Sequence, residues 1–188
     1  MAYAVLAVGR TYPSDAVTTQ VLPRVISAYG WTNIAIIHVN DDYANNYARG
    51  MRDNSPLAGV TVIASISYTT NDATTYAPAC ASLEASRANI ILIVAWDQDL
   101  GQILQACRTA GPNNVDLLAP GYVWINADSA MPDAAYQAAM ALPLGLTAAQ
   151  ASELLDGQLH FYGSPEGTVG YSRFQADWST HEREECIK

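Results

Sequence analysis

Hydrophobic positions along the chain fall into short blocks separated by polar stretches, and two periods recur. Ile34-Ala35-Ile36-Ile37-His38-Val39 and Asn89-Ile90-Ile91-Leu92-Ile93-Val94-Ala95-Trp96 are short, mostly apolar runs rich in β-branched residues. Runs of this length suit strands buried on both faces, as in a parallel sheet. Between them, residues 60–68 set Val60, Val62, Ala64 and Ile66 against smaller or more polar neighbours. That alternation predicts a half-buried edge strand. Gly121-Tyr122-Val123-Trp124-Ile125-Asn126 is a fourth strand candidate.

Helical spacing fills the gaps. Val17, Val21, Val25 and Tyr29 recur every four residues and predict a helix, with Ser14 or Asp15 as its cap and Gly30 at its end. Pro23 inside it is expected to kink it or shorten its regular part. Residues 45–53 predict a second helix, closed by Asn54-Ser55-Pro56. Residues 75–87 predict a third, with Ala79, Cys80 and Leu83 inward. Residues 100–110 predict a fourth, with Leu100, Ile103, Leu104 and Cys107 on one face and Gly111-Pro112 as its stop. Strand starts lie about 30 residues apart, the size of a βα unit. The expected fold class is α/β, a parallel sheet with helices on both faces. The units share no residue motif, so the period is architectural and not a solenoid repeat. Beyond Asn126 the pattern loosens. Residues 132–142, 146–155 (capped by Thr147) and 170–182 read as helices, the last with Tyr171, Phe174 and Trp178 on one side; residues 156–163 read as a strand.

Composition narrows the function. The chain has 188 residues, 50% of them hydrophobic and 14% charged, enough for a sizeable core. A net charge of −9 repels phosphate backbones and anionic bilayers, so no nucleic-acid partner is expected. Unbroken apolar runs such as residues 90–96 are far short of the roughly 20 residues of a membrane span. The start is apolar without a basic leader segment and reads as a strand. The terminal run from Glu182 shows no closing element, so the chain is expected to be an excerpt of a longer protein. Cys80, Cys107 and Cys186 have no metal-site spacing. Two readings stay open for them: three separate thiols, or a Cys80–Cys107 disulfide as in a secreted protein.

In an open parallel sheet, ligands bind beyond the carboxyl ends of the strands. Here those ends read Asn40-Asp41-Asp42-Tyr43, Ser67-Tyr68, Trp96-Asp97 and Asn126-Ala127-Asp128. Aromatic and acidic residues gather on one rim, where rings attract cations and carboxylates hold an ammonium. Each acid taken singly also suits a turn or a helix cap. Phosphate-loop, dinucleotide and hydrolase-elbow motifs are missing, so no catalytic residue, cofactor or metal is expected. His38, His160 and His181 are scattered, and His38 reads as a satisfied core residue.

Arg10-Thr11-Tyr12-Pro13-Ser14-Asp15-Ala16, a helix ending Tyr29-Gly30-Trp31, then Ile34-Ala35-Ile36-Ile37-His38 and Asn40-Asp41-Asp42-Tyr43, resembles the receptor ligand-binding region of the type I periplasmic-binding-protein fold. That family includes natriuretic peptide, metabotropic glutamate and GABA type B receptors and branched-chain amino-acid binding proteins. The likeness continues through residues 90–96 and 122–125 and more faintly to 171–178. It implies one lobe of a bilobed fold, the second, with residues 1–15 as lead-in and hinge strand, 16–142 as the βα-repeat lobe and 143–188 as a returning strand and helix. It implies an interlobe cleft for a small polar ligand such as an amino acid, with Ser14, Asp15, Tyr43, Trp96, Asp97 and Asp128 lining it. The implied partners are that ligand, a first lobe and a receptor dimer; the implied location is the extracellular side of a membrane. The Cys80–Cys107 spacing is similar to a helix-to-helix disulfide of some receptor members. Ala44 replaces a glycine that often follows the tyrosine, and Asn126-Ala127-Asp128 lacks the usual glycine-serine, which bears on the ligand class. A soluble solute-binding protein of a transporter (periplasmic) and a flavodoxin-like small-molecule enzyme are the alternatives.

Overall fold

Parallel strands need crossovers, and the sequence supplies a helix for each. The computed structural model describes residues 14–108, 113, 115–127, 147–161 and 172. The chain divides into two compact units, Ser14–Tyr162 and a second made of Met1–Pro13 with Gly163–Lys188; every described element lies in the first. The elements run α1 (Asp15–Ala28), β1 (Asn33–Val39), α2 (Asp42–Asn54), β2 (Thr61–Tyr68), α3 (Tyr76–Ser86), β3 (Ile90–Val94), α4 (Asp97–Cys107), β4 (Val123–Ala127), α5 (Ala148–Leu155) and β5 (Leu159–Phe161). The expected helices at 132–142 and 170–182, and the helix stop at Gly111-Pro112, lie outside the described residues.

The five strands form one parallel sheet in the order β2-β1-β3-β4-β5. Every residue of β3 and all but the first of β1 are buried, as their mostly apolar runs require. Helices cover both faces. On β2, Ser65 accepts a hydrogen bond from Arg52 of α2, while Tyr68 meets Tyr76 of α3 edge-on at 5.4 Å. Residues 65 and 68 point to opposite sides of a strand, so α2 and α3 lie on opposite faces. β2 is the edge strand its alternation predicts. Val62 pairs with Ile34 and Ala64 with Ala35, which leaves Ile63 as an extra, exposed residue. Such a bulge blunts an edge against stray strand pairing.

α1 continues through Pro23, which is not its end. Gly30 terminates it at φ +77, and the amides of Gly30 and Trp31 donate back to the carbonyls of Ser27 and Ile26. The face that α1 buries is Thr19, Leu22, Pro23 and Ile26; Val17, Val21 and Tyr29 are exposed. The four-residue recurrence therefore found the helix but not its inward side. α1 meets α2 where Gly50 faces Thr19, so closely that a Cβ on Gly50 would lie 2.7 Å from the Thr19 hydroxyl. On the other face, a disulfide joins Cys80 of α3 to Cys107 of α4, with both residues fully buried. Thr147 caps α5 in a reciprocal box with Gln150.

Candidate functional site

From β1 the chain crosses to β2 on one side; from β3 it crosses to β4 on the other. β1 and β3 are adjacent, with His38 beside Val94. Their connections leave in opposite directions, so a crevice opens above their carboxyl ends, the switch point where open α/β sheets take ligands. The two segments that leave it are Asn40–Tyr43 and Ala95–Asp97.

Asp41 is the N-cap of α2, and its Oδ1 accepts from the Ala44 amide at 2.8 Å. Its Oδ2 accepts from the indole Nε1 of Trp96 at 2.7 Å. Trp96 precedes α4, and its ring packs on Tyr43 at 5.5 Å with a 33° tilt. Tyr43 in turn meets Tyr47 at 6.3 Å, and Tyr47 is buried. The result is an aromatic step, anchored at the buried end and open at Trp96, which is 42% exposed. Asp42 and Asp97 are exposed and open α2 and α4, where the positive ends of the helix dipoles offset their charge.

Behind the step stands a fully buried carboxylate, Asp99, in the first turn of α4. It accepts from the Thr70 hydroxyl, from the Asn71 amide at 3.0 Å and from the Tyr76 hydroxyl at 2.8 Å. Asp99 thereby ties the loop after β2 and the start of α3 to α4. Burial, then the hydrogen bond to Asp99, pushes the Tyr76 phenol above its ordinary value. Under the rim, His38 sits in β1 with Nδ1 3.0 Å from the Val39 carbonyl and Nε2 3.4 Å from Ser65 Oγ. Burial lowers its pKa, and the nearby Arg52 charge lowers it further, against the carbonyl of Val39 and the Asp41 charge. His38 is a core residue and not part of the exposed step.

Of the residues singled out from the sequence, Tyr43 and Trp96 come together and Asp97 adjoins them. Ser14 is the N-cap of α1, with its backbone carbonyl accepting from Val17 at 2.8 Å and no cap bond from its hydroxyl. Asp15 is the first helical residue and partly buried. A short turn joins the C-terminus of α1 to the start of β1, so α1 runs against β1 and its N-terminus heads towards the same rim. Asp128 lies outside the described residues. Sequence reasoning placed Asp41 on the rim but not against Trp96, and it missed Asp99, whose only signal is an acid in a helix's first turn. Among the described residues no group of three or more His, Cys, Asp or Glu could hold a metal ion. Two hollows lie away from the rim. One, of about 220 Å³, sits before β4 and β5 beside Tyr122 and Asp156; the other, of about 150 Å³, lies between α1 and β4–β5.

Strand order alone does not separate a binding lobe from a flavodoxin-like enzyme. Comparison with known proteins adds the family. The family described as "Receptor family ligand binding region" matches residues 5–183. Metabotropic glutamate receptor-like protein E of Dictyostelium discoideum is 26% identical over 132 residues, which is 63% of this chain and 15% of that protein. The chain thus spans well under a fifth of the curated relative's length. With a match over nearly its whole length, the chain belongs to the receptor family ligand-binding region.

Proposed function

We propose that this chain is the second lobe of a bilobed receptor ectodomain on the extracellular side of a membrane, and that its rim grips a small polar ligand such as an amino acid. The observation that carries the reading is the Asp41–Trp96–Tyr43 step at the β1/β3 switch point, in a chain of a ligand-binding family. Aromatic faces hold apolar parts of a ligand and attract its cationic group. The rim carboxylates supply negative charge for an ammonium. Asp15 takes the ammonium from the hinge side, Tyr43 and Trp96 pack on the ligand, and a first lobe supplies the opposite wall. Closure of the two lobes on the ligand carries the signal as a population shift. Similarity to a glutamate receptor-like protein makes amino acids the first ligands to try.

The test is calorimetric titration of the two-lobed receptor with L-glutamate, glycine and γ-aminobutyrate. Binding of at least one is expected, and Asp15→Ala should weaken it by about 1–3 kcal/mol, the worth of a charged hydrogen bond. No binding of any of the three, or unchanged affinity in both Asp15→Ala and Trp96→Ala, refutes the reading. The 188-residue chain by itself should bind poorly, since it offers one wall of the cleft; sub-micromolar affinity for it alone contradicts the two-lobed site.

A further inference from the structure

A helix cap needs one acceptor oxygen, and Asp41 Oδ1 fills that need at the Ala44 amide. The other oxygen, Oδ2, reaches across the switch point to the Trp96 indole, 55 positions along the chain. Trp96 is 42% exposed, so burial alone does not fix its ring. What restrains it is this hydrogen bond together with the Tyr43 face. We infer that Asp41 is a positioning residue: it holds the Trp96 indole against Tyr43 as a preset plate for the ligand, with both carboxylate oxygens engaged by the protein. The assignment rests on the proposed reading of the rim as the ligand site. Its physical sense is preorganisation. A ring already locked in place loses little side-chain freedom when a ligand stacks on it. It also sorts the rim acids, because Asp41 serves the aromatic step while exposed Asp97 remains for the ligand's positive charge.

The test needs no ligand. Asp41→Ser keeps a good cap for the Ala44 amide but leaves a single short oxygen that cannot also reach Trp96. Asp41→Ala removes both bonds. The ¹⁵N-labelled chain carries four tryptophans, and Trp96→Phe identifies which indole N–H signal belongs to Trp96. In Asp41→Ser, that signal should move towards its free-solvent position and its exchange with water should quicken by about tenfold, as for loss of one charge-assisted hydrogen bond. The Ala44 amide should stay protected in Asp41→Ser and lose protection in Asp41→Ala. An indole signal unchanged in position and exchange in Asp41→Ser overturns the assignment; so does loss of Ala44 protection without release of the indole. Amino-acid binding by the two-lobed receptor is judged separately. If Trp96→Phe leaves L-glutamate, glycine and γ-aminobutyrate binding untouched while Asp41→Ser still frees the indole, the ligand-site reading falls and the tie between Asp41 and Trp96 stands.

Discussion

Replacing Asp99 with alanine should be the most damaging single polar change in the described lobe. The side chain is fully buried and accepts from Thr70, Asn71 and Tyr76. Removing it deletes three hydrogen bonds to a carboxylate and strands the buried Tyr76 hydroxyl, while the half-buried Thr70 and exposed Asn71 can turn to water. The Tyr76 residue is itself only 2% exposed. Each bond to a charged group is worth about 1.5–3 kcal/mol, but the three share one acceptor and do not add. Asp99→Ala should therefore cost more than one such bond and less than the sum of three, about 3–5 kcal/mol. That is a large part of the roughly 5–15 kcal/mol by which a domain is stable. At about 2–4 °C per kcal/mol for a chain of this size, the melting temperature should drop by roughly 6–20 °C. Tyr76→Phe removes one donor and leaves the acceptor with two, so it should cost about 1.5 kcal/mol, the low end for one such bond. Urea unfolding followed by far-UV circular dichroism measures both. A loss under about 1 kcal/mol for Asp99→Ala would refute the idea that this carboxylate frames the rim.

The Cys80–Cys107 bond closes a separation of 27 residues, so the Cys80→Ala/Cys107→Ala pair should lose about 3.5 kcal/mol in the chain-entropy view; the pair should then ignore dithiothreitol, which should weaken the wild type. His38 has a folded pKa held below the unfolded value of about 6.5, so the unfolded chain binds the extra proton. Its contribution is present above about pH 6.5 and is lost as pH falls towards the folded pKa, by at most about 1.4 kcal/mol per unit; His38→Gln should flatten that slope in urea titrations between pH 7.5 and 5. Gly50→Ala would ordinarily gain about 1 kcal/mol of helix propensity, but its Cβ would meet Thr19 Oγ1 at 2.7 Å and Thr19 Cβ at 3.1 Å, so a net loss of about 1–2 kcal/mol is expected. Pairing it with Thr19→Ala should recover most of that loss, as a double-mutant cycle by thermal unfolding will read.

The sequence by itself determined the elements and their alternation. Strand blocks such as 34–39 and 90–94 must be buried on both faces because no polar side is left to face water, and helical spacing between them makes the sheet parallel. The rule that ligands sit at strand carboxyl ends was enough to select Tyr43, Trp96 and Asp97. The chain could not say which strand ends are neighbours. Only the order β2-β1-β3-β4-β5 puts the end of β1 beside that of β3, and thereby Asp41 within 2.7 Å of the Trp96 indole. Strand order depends on which way each crossover turns, and that is settled by packing of whole layers, not by local pattern. The same holds for α1, where valines at four-residue spacing marked a helix but packing turned Leu22 and Ile26 inward instead. It holds most of all for Asp99. An acid in a helix's first turn is ordinary in sequence; that three donors from a distant loop and helix bury it is decided by the tertiary structure alone.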